Sequence, residues 1–251
     1  MKAIYSLSIM LAAAAMLAFS VPVHAAKMDS VIEASAKQSN VFKTYLKDDD
    51  IKINSKDGVV TLTGTVSEEF HKSLAEETVA GLPDVKGVDN KLEVKGDRPV
   101  EKSDAWLLTK VKTTLLFHRS VSAKTEVDVK DGIVTLRGDA DNQAQKELTT
   151  EYVKDIEGVK DVNNEMTVTK SSGKTRKTAG EKIDDASITA QVKMALLFHR
   201  STSALHTKVK TKYGVVTLSG KAGNAAEKDL VTKLVNDVKG VKNVKNRMTI
   251  E

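Results

Sequence analysis

Lys130-Asp131-Gly132-Ile133-Val134-Thr135-Leu136-Arg137-Gly138 reads as a tight hairpin and its return strand. Asp-Gly supplies the turn, because Gly takes up positive φ without steric cost. Val134 and Leu136 then alternate, which puts both on one face. The phrase occurs twice more, as Lys56-Asp57-Gly58-Val59-Val60-Thr61-Leu62-Thr63-Gly64 and Lys212-Tyr213-Gly214-Val215-Val216-Thr217-Leu218-Ser219-Gly220. Recurrence at a fixed register marks a repeat protein. The fold question is therefore the question of one unit, used three times.

Working outward from the hairpin gives that unit. Asp104 and Asp185 are expected to cap helices. Behind them Leu107, Val111 and Leu115, and likewise Ile188, Val192 and Leu196, recur at helical spacing. Val127 and Val129 alternate on the first hairpin strand, and Val209 should point inward on its counterpart. After the hairpin, Leu148, Tyr152 and Ile156 stripe a second helix. A last strand carries Val162, Met166 and Val168, matched by Val244, Met248 and Ile250. The order is helix, strand, strand, helix, strand. The second and third strands flank a helix, which predicts a parallel crossover, while the hairpin is antiparallel. The fold class is α+β: three tandem two-layer sandwiches, each with two helices on one face of a three-stranded mixed sheet. The expected domains are 28–95, 103–170 and 184–251, with 28–95 the divergent one.

A second shared element lies downstream. It reads Val85-Lys86-Gly87-Val88-Asp89-Asn90, Val159-Lys160-Asp161-Val162-Asn163-Asn164 and Val241-Lys242-Asn243-Val244-Lys245-Asn246. Gly precedes it at 158 and 240, and Asp84 at the first copy. Leu-Leu-Phe-His-Arg-Ser occurs at 115–120 and 196–201, and only Phe42 survives from it in the first copy. With Gly-Val/Ile-Val-x-Leu-x-Gly and Gly-Val-x-x-Val-x-Asn, nearly the whole chain after the leader resembles the BON domain family of bacterial envelope proteins. An exported chain of tandem copies is similar to the osmotically inducible periplasmic members of that family. The resemblance implies a non-enzymatic periplasmic protein that binds phospholipid membranes and serves envelope integrity.

The N-terminus is expected to be a signal peptide over residues 1–25. A positive start, Met1-Lys2, precedes an apolar run from Ile9 to Phe19, and small residues follow at Ala25-Ala26. The run is short for a bilayer span, and cleavage is expected near Ala25. The chain has no Cys. A lipoprotein anchor is thereby excluded, and no disulfide staples the domains. No later run predicts a transmembrane segment. The 171–183 stretch is rich in Ser, Thr, Gly and Lys and reads as a flexible basic linker. Its Gly173-Lys174-Thr175 is not a phosphate loop, because Val168 stands where that motif requires Gly.

Charge locates the candidate partner. Residues 28–95 carry 9 basic and 13 acidic side chains, residues 103–170 carry 10 and 12, and residues 184–251 carry 12 and 6. The overall +5 thus hides an acidic front and a basic back. With Val209 pointing inward, Lys208, Lys210 and Lys212 share the outer face of their strand, and Lys245 and Arg247 join them from the last strand. The second copy has Glu126, Asp128 and Lys130 in place of the three lysines. The five cations and the single Trp106, a residue that favours membrane interfaces, are the candidate lipid-binding residues. The expected partner is an anionic phospholipid surface, engaged peripherally, or alternatively other envelope proteins for a chaperone or adaptor. Nucleic acid is not expected. His118 and His199, each followed by Arg near a helix end, read as complements to the helix C-terminus. No HExxH, nucleophile elbow or acidic cluster appears, so no catalytic residue, metal or cofactor is expected.

Overall fold

The computed structural model describes residues 21–96, 103–121, 125–169, 182–202 and 206–251. Residues 1–20 of the expected leader and all but the last two residues of the 171–183 linker lie outside the described residues. The first copy comprises α1 (Val21–Gln38), α2 (Asn40–Thr44), β1 (Asp50–Lys56), β2 (Val59–Val66), α3 (Glu69–Ala80) and β3 (Gly87–Val94). The second comprises α4 (Asp104–Phe117), β4 (Glu126–Lys130), β5 (Ile133–Arg137), β6 (Asp139–Ala140), α5 (Gln143–Lys154), β7 (Asp161–Asn164) and β8 (Thr167–Val168). The third comprises α6 (Asp185–Phe198), β9 (Thr207–Lys212), β10 (Val215–Ala222), α7 (Ala225–Asn236), β11 (Asn243–Asn246) and β12 (Thr249–Ile250).

The fold is mixed α+β, with the expected topology in every copy. The hairpins β1–β2, β4–β5 and β9–β10 are antiparallel, and β3, β7 and β11 run parallel to the return strands. The register is the same each time: Leu62, Leu136 and Leu218 face Asn90, Asn164 and Asn246. Each of these asparagines ties the last strand to the second helix. Asn164 donates to the Lys146 carbonyl at 2.9 Å and to the Thr150 hydroxyl at 2.7 Å, and accepts from the Met166 N–H at 3.0 Å. Asn246 repeats this with Lys228, Thr232 and Met248. Asn90 does so with Lys72, Glu76 and Leu92. A side chain that donates twice and accepts once fits this corner, and neither Asp nor Leu offers all three bonds.

The helix starts differ from expectation. The caps of α4 and α6 are Ser103 and Asp184, whose side chains accept from the N–H of Trp106 and Ser187. Asp104 and Asp185 are the first helical residues, and their carboxylates reach across to the hairpin tips. Asp104 accepts the N–H of Asp131 at 2.7 Å and of Gly132 at 2.9 Å. Asp185 holds Tyr213 and Gly214 at 2.6 and 2.7 Å, and Asp29 holds Asp57 and Gly58 at 2.9 and 3.0 Å. Each carboxylate satisfies two turn N–H groups, and Asp104 and Asp185 also sit at the favourable, positive end of their helix dipoles. The glycines inside β2 and β10 have a steric cause. A Cβ on Gly64 would lie 2.0 Å from the Asp50 carbonyl oxygen, and one on Gly220 1.9 Å from that of His206.

The third core gathers Ile188, Val192 and Leu196 from α6, Val216 and Leu218 from β10, Val231 and Val235 from α7, and Met248. Val209 and Val244 pack at its edge. Ile250, expected inside, is 51 % exposed, and Val168 is likewise exposed. Both lie beyond the last buried residue of the strand, on the short β8 and β12 at the end of the sheet. The chain divides into two compact units, Met1–Lys95 and Gly96–Glu251. The second and third copies therefore share one unit, and Leu234 of the third is buried in the core of the second.

Leu218→Ala is expected to lower the unfolding free energy of the third copy by about 2–5 kcal/mol, since the side chain is fully buried. Urea unfolding reads this directly; a loss under about 0.5 kcal/mol would contradict the packing.

Candidate functional site: a cationic sheet face and a histidine clasp

The cationic face is built by strand parity. Along β9 exposure alternates: Lys208, Lys210 and Lys212 are exposed, while Thr207, Val209 and Thr211 turn toward the helices. Lys210 and Lys245 both flank Thr217, so the register carries positive charge across three strands. Lys245 and Arg247 are exposed too. No Asp or Glu occurs in β9, β10, β11 or β12, whereas the strands of the second copy contain Glu126, Asp128, Asp139 and Asp161. In the second copy Arg137 is also engaged by Glu165 at 2.9 Å. Trp106 does not join this face. It is half-buried against the core of the second copy, with Lys110 Nζ 4.1 Å from its ring. The candidate set thus separates into five cations on one surface and an aromatic residue with a packing role.

The repeated Leu-Leu-Phe-His-Arg-Ser has a role that its reading as a helix-end complement missed. At Phe117 the helix α4 stops, and the chain crosses to the other copy. His118 bridges to Val238, Arg119 N–H donates to the Asp237 carbonyl at 2.9 Å, and Lys239 N–H donates to that of Phe117 at 3.0 Å. The third copy returns the contact. His199 bridges to Ile156, and Arg200 N–H donates to the Asp155 carbonyl at 3.0 Å. Asp155 and Asp237 are the C-caps of α5 and α7. Asp237 accepts from Ser120 at 2.5 Å and from the Tyr152 hydroxyl at 2.9 Å, with Arg119 Nε at 3.8 Å. Asp155 accepts from His199 Nδ1 at 3.0 Å and from Ser201, with Arg200 Nε at 3.7 Å. Each copy therefore supplies a His-Arg-Ser turn to the other's aspartate.

At the centre the two imidazoles meet. His118 and His199 are 0 % and 2 % exposed, and their Nε2 atoms are 3.4 Å apart. Two lone pairs cannot face each other at that distance, so one Nε2 carries a hydrogen. His118 also stacks on Tyr152, ring centroids 3.9 Å apart. Its Nδ1 lies 3.3 Å from Asp237 without hydrogen-bond alignment. Burial pushes the His118 imidazole below its ordinary range, against the pull of Asp237. Burial would raise both aspartates, but hydrogen bonds from His199 and Ser201 hold Asp155 low, and those from Ser120 and Tyr152, with the His118 imidazole alongside, hold Asp237 low. Burial also lowers Lys239 and raises Tyr152.

The first copy lacks both halves. Gly81 is the C-cap of α3, where the other copies place aspartate, and the segment after Phe42 reads Lys43-Thr44-Tyr45. This joint loss was the available sequence signal. Among the described residues no group of three or more His, Cys, Asp or Glu is placed to hold a metal ion.

The pH dependence has one sign. A depressed histidine is stable when neutral, so its contribution is intact above the ordinary imidazole value of about 6.5 and is lost as pH falls below it. The two aspartates, also lowered, lose theirs at still lower pH. Lys239 adds positive charge near His118 and reinforces the effect. Amide protection of Arg119 and Arg200 is expected to fall between pH 7 and pH 5, while amides within the β1–β2 hairpin keep theirs; equal protection at both pH values would contradict the clasp's electrostatics.

Comparison with known proteins agrees with the threefold architecture. The BON domain profile matches residues 28–96, 103–170 and 184–251. Osmotically-inducible protein Y of Escherichia coli (strain K12) is 34% identical over 146 residues, which are 57% of this chain and 70% of that protein. An uncharacterized protein in the gshII 5' region of Anaplasma centrale is 32% identical over 141 residues, 56% of this chain and 90% of its own. Among solved structures, CdsD, a structural protein of the Type III secretion system of Chlamydia trachomatis, aligns over 88% of this chain and 90% of its own at 17% identity, with a TM-score of 0.25. Three matches that together span most of the sequence place this chain in the BON domain family.

Proposed function

We propose that this chain is an exported, non-enzymatic periplasmic protein of the osmotic stress response that docks peripherally on anionic phospholipid surfaces. The carrying observation is the outer sheet face of the third copy, where Lys208, Lys210, Lys212 and Lys245 are exposed on strands without a carboxylate and Arg247 is exposed between β11 and β12. The relation to osmotically-inducible protein Y supports the stress setting. Among the described residues no helix is long and apolar enough to cross a membrane, which fits attachment from one side.

Magnitudes set the character of the binding. Each Lys or Arg near an anionic surface contributes about 1 kcal/mol. Five give weak, reversible attachment, screened over about 10 Å at 0.1 M salt. The clasp adds a mechanical point. It joins the third copy to the second, so the cationic face is presented by a unit larger than one small domain.

Lys208→Glu, Lys210→Glu and Lys212→Glu together are expected to abolish co-sedimentation with phosphatidylglycerol-containing vesicles and to leave the unfolding transition unchanged. The parent chain should bind these vesicles more tightly than phosphatidylcholine vesicles and lose affinity as salt is raised. If the triple variant sediments as well as the parent, the face is solvent-facing charge only, and an adaptor that binds other envelope proteins becomes the better reading.

A further inference from the structure

At the β9–β10 hairpin tip the third copy departs from the other two. The first turn position holds Asp57 at φ 55° and Asp131 at φ 54°, but Tyr213 at φ 55°. Aspartate tolerates this left-handed backbone because its short side chain bonds locally; a tyrosine has no such compensation. Packing does not recover the cost. Tyr213 is 77 % exposed, the most exposed large apolar side chain among the described residues.

The tip is also held firmly. Both of its N–H groups are bound by the Asp185 carboxylate, and Lys242 N–H donates to the Gly214 carbonyl at 2.8 Å. A side chain that costs conformational energy, sits on a fixed turn and faces solvent has its use outside the folded chain. Its neighbours name the chemistry. Lys212 Nζ is 5.6 Å from the ring centroid, so the ring lies beside the cationic face. The Lys242 methylenes run along the turn, 3.0–3.2 Å from where a Gly214 Cβ would be. An amphipathic ring among ammonium groups matches the headgroup layer of an anionic bilayer: the ring takes the acyl boundary, the hydroxyl stays wet, and the lysines meet phosphate.

We propose that Tyr213 is the interfacial anchor of the third copy, seated in an anionic phospholipid headgroup layer while Lys210, Lys212 and Lys242 hold the phosphates around it. This rests on the membrane-docking reading above. The anchor supplies an apolar part of the affinity that salt does not screen.

The test uses the full chain with phosphatidylcholine vesicles, with and without phosphatidylglycerol. Tyr213→Asn removes the ring, adds no charge and suits the left-handed turn. It is expected to weaken binding to the anionic vesicles roughly fivefold, chiefly in the fraction that survives high salt. Tyr213→Trp in vesicles with brominated acyl chains is expected to show quenched indole emission, measured against the parent chain, whose one tryptophan is Trp106. Sedimentation with the vesicles but with no quenching and no loss in Tyr213→Asn overturns the anchor and leaves the cationic-face reading standing. Absence of sedimentation in the parent chain overturns both.

Discussion

An aspartate at the C-terminal end of a helix stands at the wrong pole of the helix dipole. Asp155 and Asp237 both occupy that place, and each is made tolerable by the other copy. A His-Arg-Ser turn brings an imidazole, a guanidinium and a hydroxyl to each carboxylate. The second and third copies are therefore joined through partly buried carboxylates whose partners come from the other copy. Removing one partner would leave such a carboxylate with unmet hydrogen bonds at the unfavourable end of its helix. The first copy, with Gly81 and Lys43 in those positions, has nothing to offer such a joint and forms its own compact unit.

Within a copy the sequence was a good guide because the repeat repeats its constraints. Asp-Gly at the turn, alternating Val and Leu on the return strand and helical stripes at Leu107, Val111 and Leu115 all fold as their spacing predicts. The errors have physical causes. Asp104 and Asp185 look like caps, yet their carboxylates span 27–29 residues to the hairpin N–H groups, a reach that helix-start patterns do not encode. Ile250 alternates inward by strand parity, but it lies on the short β12 at the end of the sheet, where it stays 51 % exposed. The clasp is the feature least visible in the sequence. His118 and His199 are local features in sequence and become functional only when 81 residues apart they meet at 3.4 Å.

The cationic face was legible for the opposite reason. It needs only strand parity, which Val209 and Leu218 fix, and the outward lysines follow. Trp106 lies apart from that face: it stands beside Leu107 on α4 and packs, half-buried, against the core of the second copy. Attachment to a surface, by contrast, depends on how charges and an exposed ring are presented together. The clasp bears on that indirectly, since it decides whether the third copy acts alone or as part of a two-copy unit.

The most direct measurement is small-angle X-ray scattering on the full chain carrying Asp155→Ala and Asp237→Ala together, compared with the parent at neutral pH. Loss of both carboxylates should let the second and third copies separate, so the radius of gyration and maximum dimension rise while circular dichroism still reports folded domains. Scattering curves that superimpose would contradict the clasp as the interaction that makes residues 96–251 one unit.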